Sequence, residues 1–68
     1  MKVQALDIQI GNQIVAYCNN KMQTCTVKHI LDLDQPNITL SVSINSHSHK
    51  SLLRVVRFHR DALVNLAN

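Results

Sequence analysis

In Ile38-Thr39-Leu40-Ser41-Val42-Ser43-Ile44 every second residue is aliphatic and every residue between carries a small hydroxyl. Successive side chains of a strand point to opposite faces, so this stretch specifies a strand with one buried and one wetted face. On a helix the same four aliphatic residues would scatter around the axis. No other reading suits the segment, and the rest of the chain must fold around it.

The same period of two recurs elsewhere. Leu6-Asp-Ile-Gln-Ile10 alternates and runs into Gly11-Asn12, which includes the only glycine of the chain. A turn is expected there, because glycine reaches positive φ without steric cost. Gln13–Cys18 is a second apolar run. Asn19-Asn20-Lys21 offers residues that tolerate the left-handed region, and Met22–Leu31 follows with its β-branched Thr24, Thr26, Val27 and Ile30. These two runs predict a hairpin. Asp32-Leu-Asp-Gln-Pro-Asn37 reads as a loop, since Pro36 has no amide hydrogen to give a ladder. Asn45-Ser-His-Ser-His-Lys-Ser51 separates the Ile38–Ile44 strand from Leu52–Phe58 and reads as a hairpin tip. His59-Arg-Asp-Ala62 interrupts the pattern before a last short run, Leu63–Leu66.

The expected fold class is therefore all-β: five to six short antiparallel strands forming one small, closed or nearly closed barrel over residues 1–68, with one short helical turn near Arg60. Closure would remove sheet edges that invite aggregation. Residues 1–5 are expected as a lead-in arm, with Val3–Ile10 as either that arm or a sixth strand. A domain of 68 residues buries only about 60% of the surface its unfolded chain exposes, so its stability should be thin. Apolar residues make up 46% of the chain and charged residues 16%, the balance of a folded globule. No run of about 18 apolar residues exists and the first residues lack the apolar core of a signal peptide, which predicts a cytoplasmic protein with no membrane contact.

The entry Ile8-x-Ile10-Gly11-Asn12-x-Ile14-Val15 and the exit His59-Arg-Asp-Ala62-Leu63-Val64-Asn65-Leu66 resemble the SH3-like small barrels, which often place a short helical turn before the last strand. The Sm-like barrels are similar in shape, but their leading helix has no counterpart here, and the peptide-binding aromatics of SH3 domains are absent. The resemblance implies a binding module and carries over no functional residue.

Several chemistries are disfavoured by the residues. The chain has no glutamate, and its one close pair of aspartates, Asp32 and Asp34, falls in a turn where an Asx-type bond to the backbone is expected. There is no glycine-rich phosphate loop, no Cys-x-x-Cys and no nucleophile elbow. Cys25 and His29 on one strand would share a face but lie about 13 Å apart, beyond hydrogen-bond reach. Cys18 and Cys25 are expected as free thiols packed as small hydrophobes. They would sit opposite one another if the hairpin turned through Asn20–Gln23, whereas a turn at Asn20-Lys21 would put Gln23 opposite Cys18. His47 and His49 would point the same way about 6.5 Å apart in an extended segment, a chelating geometry. Serines and Lys50 flank them and no carboxylate stands nearby, so the expectation is no metal and no cofactor. Neither an enzyme nor a small-molecule substrate is expected.

Charge is the more informative signal. Lys and Arg number seven against four acids, and no acid occurs between Gln35 and Arg60. His47, His49, Lys50, Arg54, Arg57, His59 and Arg60 all fall in that segment and form the candidate binding surface. Protonation of all four histidines would raise the formal charge from +3 to +7, strengthening contact with an anion as pH falls. Strict alternation splits Arg54 from Arg57. A bulge at Val55-Val56 would bring them to one face. The function expected is a non-enzymatic interaction module or accessory subunit that binds a protein partner, or a second copy of itself, through this Arg/His-rich face. Arginine enrichment and glutamate depletion are interface traits. The alternative is weak, backbone-directed RNA or DNA binding, limited by having only Tyr17 and Phe58 as stacking platforms.

Overall fold

The computed structural model describes residues 1–45 and 51–67. Six strands, β1 (Lys2–Gln4), β2 (Gln13–Cys18), β3 (Lys21–Leu31), β4 (Asn37–Asn45), β5 (Ser51–His59) and β6 (Leu63–Leu66), build one antiparallel sheet in the order β1-β6-β2-β3-β4-β5. The fold is all-β, and a lone 3-10 turn at Ala5–Asp7 is its only helical element among the described residues. β2 and β6 occupy the runs expected of them, β3 begins one residue earlier than its run, and β4 and β5 exceed theirs by one residue at each end.

The alternating strand lies where its pattern requires. β4 is paired on both sides, and Ile38, Leu40, Val42 and Ile44 are all buried on its inner face. Ile14, Ala16, Cys18, Cys25, Val27, Val56 and Val64 join them in a single core, against which Phe58 and Leu66 pack. The sheet curls around this core until β5 comes close to β2, but no ladder joins those two strands. The sheet thus stays open, with β1 and β5 as its edges, where a closed or nearly closed barrel was expected.

Residues 2–4 are not a loose arm. Lys2, Val3 and Gln4 pair with Asn65, Val64 and Leu63 of β6. The alternation of Leu6–Ile10 does not make a strand either. Only Ile8 reaches the core, while Ile10 is largely exposed. The chain coils at Ala5–Asp7 because the carbonyls of the final turn are there to receive it: Ala5 N–H donates to Ala62 O at 2.8 Å and Leu6 N–H to Arg60 O at 3.1 Å. Near Arg60 the expected turn is a single hydrogen-bonded one, Ala62 N–H to His59 O at 2.9 Å, and the 3-10 turn lies at the other end of the chain, stacked beside it.

Three local devices set the register. Gly11, at φ +95°, donates its N–H to Val27 O, while Val27 N–H donates to Asn12 O, both at 2.9 Å. Two residues facing one make a bulge with glycine at its left-handed position, which bends the entry of β2. Asn19 and Asn20, at φ 53° and 70°, form a two-residue turn of the mirror-image kind that matches strand twist. Cys18 therefore faces Lys21, a register different from either turn anticipated from sequence. The third device is a shift in the β3–β4 ladder between Val27 and His29. Because glycine fits the second central position of such a turn better than asparagine, Asn20→Gly is expected to stabilise the protein by about 0.5 kcal/mol, read as a higher urea midpoint at unchanged m-value.

Candidate functional site

Of the seven residues singled out by charge, His47, His49 and Lys50 lie outside the described residues. The strands on either side, β4 and β5, pair without interruption from Asn37↔His59 to Asn45↔Ser51. That unbroken register also corrects the bulge anticipated at Val55-Val56. The irregularity falls in β3 instead, and β5 alternates strictly. Arg54 stands opposite Val42 on the core side of the sheet, and Arg57 opposite Thr39 on the outer side, so the two arginines do not share a face. The β3 bulge has its own consequence. Cys25 points into the core and His29 outward, so the two residues expected to share a face do not.

The acid-free stretch of sequence is not acid-free in space. Arg57 Nε donates to Thr39 Oγ1 at 3.4 Å, and Thr39 in turn donates to Asp32 Oδ2 at 3.0 Å. Thr39, the only buried polar side chain among the described residues, thus both donates and accepts, and Asp32 binds it rather than closing the Asx bond expected of the turn. The backbone there turns all the same, with Asp32 at φ 61° and Gln35 N–H donating to Asp32 O at 2.9 Å. At the other end, Asp61 Oδ2 lies 3.9 Å from His59 Nδ1, which accepts Asp61 N–H at 3.3 Å. Two aspartates distant in sequence from the basic run, or just past it, therefore flank it.

The edge position of β5 is what the charge pattern did not reveal. Arg60 N–H donates to Pro36 O at 3.0 Å, and Arg60 and Pro36 are the next pair beyond His59↔Asn37. Bonded and non-bonded pairs alternate along an antiparallel ladder. Hence Phe58, Val56 and Arg54 spend their backbone groups on β4, while those of Leu53, Val55 and Arg57 face the open side. Arg54 marks this geometry, its Nη1 donating to Leu53 O at 2.9 Å. The side chains of Leu53 and Val55 are 58% and 62% exposed, on the same outer face as Arg57. The signal for them was present in the doublets Leu52-Leu53 and Val55-Val56. A strictly alternating strand must expose one member of each.

No family model, no curated protein and no solved structure matches this chain. The site is therefore read from its own geometry.

Among the described residues there is no group of three or more His, Cys, Asp or Glu side chains able to hold a metal ion. No described helix is long and apolar enough to cross a membrane. Tyr17 is exposed but pairs with Met22 beside the Asn19-Asn20 turn, three strands from β5 in the sheet, and Phe58 packs against the core. Phe58, packed against the core, offers no free face beside the arginines. The cysteines are free, buried thiols with their sulfurs 4.0 Å apart, Cys25 directing its S–H to Ile14 O at 3.7 Å.

Proposed function

We propose that this protein is a non-enzymatic interaction module or accessory subunit that binds a protein partner along the edge strand β5, whose outer face carries Leu53, Val55, Arg57 and His59 and whose other face carries Arg54, with Arg60 just beyond its end. One observation carries the reading: a nine-residue strand at the edge of the sheet exposes two large aliphatic side chains next to arginine. Aliphatic surface beside arginine, in a chain without glutamate, matches the composition of protein interfaces. A polyanion groove would instead align its cations and place aromatic faces among them, whereas here the arginines are split between two faces, Tyr17 stands on β2 and Phe58 packs against the core.

The finer architectural reading, kinship with the SH3-like small barrels, fits a short curled antiparallel sheet with a tight turn before its last strand. Action in the cytoplasm fits two buried cysteines kept as thiols. We place no catalytic step on the molecule.

Affinity purification from the native source, with and without nuclease, tests the proposal. The expected result is a protein partner retained after nuclease and lost from the Leu53→Ser/Val55→Ser double variant, which changes only exposed side chains. If the captured material instead disappears with nuclease, and a short RNA or DNA binds in fluorescence anisotropy at low salt, the nucleic-acid reading replaces this one.

A further inference from the structure

Resting on the reading of β5 as an interaction surface, we propose a specific mode and partner: an extended acidic peptide adds to the open edge of β5 as a seventh strand. The sheet would grow by one ladder, with Leu53, Val55 and Arg57 exchanging backbone hydrogen bonds with the peptide.

The backbone argument comes from register. The Arg60–Pro36 bond fixes the phase of the β4–β5 ladder, and that phase leaves the N–H and C=O groups of alternate β5 residues directed outward. Among the described residues no strand pairs with this edge. It is also the long edge of the sheet, nine residues against three in β1. Natural proteins protect long edges with charge. Here Arg54 supplies that protection by reaching back to the Leu53 carbonyl, an exposed contact that an incoming strand can displace.

Charge selects the occupant. A second copy pairing edge to edge would bring another Arg54 and Arg57 alongside the first pair and double a net charge that is already +3. An acidic strand gains where a second copy loses. On the outer face, Leu53 and Val55 would lie against apolar residues of the peptide, and Arg57 and His59 against carboxylates at the following alternate positions. The Arg54 guanidinium, released from the Leu53 carbonyl, is placed to meet a carboxylate on the other face. Opposite-charge and aliphatic cross-strand pairs are both favourable in this geometry. Asp32 and Asp61 sit beside Arg57 and His59 and set a limit on how many carboxylates the edge takes.

The test uses a fluorescein-labelled peptide in which two aspartates and then two valines alternate with threonines, titrated to millimolar protein, and a control peptide with lysine in place of aspartate. Saturable binding of the acidic peptide alone is expected, with NMR shifts concentrated at the Leu53, Val55 and Arg57 amides. Val55→Pro removes an outward N–H without removing a β4 bond, a position where an edge strand accepts proline. It is expected to weaken binding by about tenfold or more, the loss of one hydrogen bond plus a steric block. Arg57→Asp should weaken binding comparably and provides the check if Val55→Pro misfolds by circular dichroism. Equal binding of the lysine peptide, or full binding by both variants, overturns the proposal. So does light scattering that shows a dimer abolished by Val55→Pro, because the edge would then belong to a second copy. A nuclease-resistant partner retained by Val55→Pro but lost from the Leu53→Ser/Val55→Ser variant would sink strand addition and leave the broader interaction reading standing. Nucleic acid as the sole ligand would sink both.

Discussion

Leu40→Ala is expected to leave the protein largely unfolded at room temperature. Leu40 is fully buried at the middle of β4, facing Ile30 of β3 on one side and Val56 of β5 on the other. Truncating a leucine at such a site costs about 2–5 kcal/mol, from lost transfer energy and from the cavity left behind. A core in a domain of this size supplies roughly 3–5 kcal/mol in all. The two ranges overlap, so one side chain carries the margin. Urea unfolding followed by circular dichroism checks this, with Leu53→Ala as the comparison. Leu53 is exposed on the outer face of the edge strand, and its truncation should be near neutral. Equal losses at the two positions would mean that the inner face of β4 is not the core.

The second large effect is alkaline. Burial, reinforced by the neighbouring Cys18 sulfur, pushes the Cys25 thiol from its ordinary 9.0 up to about 12. The folded state holds this proton while the unfolded chain releases it. The contribution to stability is therefore complete below about pH 9 and is lost as pH rises from there towards 12. At about 1.4 kcal/mol per unit of pKa difference, the full loss is on the order of 4 kcal/mol, again comparable with the whole stability. Urea midpoints measured between pH 7 and pH 10.5 should fall more steeply in the wild type than in Cys25→Val, where the other alkaline titrations remain. Parallel falls would show that this thiol is not the group responsible. The same burial predicts slow modification by thiol reagents in the native state, at rates that follow opening of the sheet and not thiolate exposure at the surface.

Much of the architecture was legible because it follows from local rules. Ile38–Ile44 could be placed by alternation, Gly11 by its freedom at positive φ, Pro36 by its missing amide, and the turn region Asn19-Asn20-Lys21, though not its register, by the tolerance of asparagine for the left-handed region. The misreadings share a different cause. Leu6–Ile10 alternates as a strand does, yet the carbonyls of Arg60 and Ala62, more than fifty positions along the chain, draw Ala5–Asp7 into a turn. No bulge forms at Val55-Val56, because β5 pairs with β4 without a shift, and the extra residue of the sheet falls in β3, on the other side of β4. The basic run looked unopposed until folding brought Asp32 to Thr39 and, through it, to Arg57. Leu53 and Val55 carry no charge, so the charge pattern does not mark them, and their exposure follows from the β4–β5 register.

By itself the sequence determined that this is a single small all-β chain, where most of its strands run, and which aliphatic residues of β4 face inward. Those properties depend on the two-residue period of a strand and on backbone limits felt within a few residues. Only the tertiary structure decided that the sheet stays open, that β5 is its long edge, and that its arginines divide between two faces. Edges, bulges and cross-strand partners are relations between segments distant in the chain, and a period read along one segment holds no information about which neighbour it will lack.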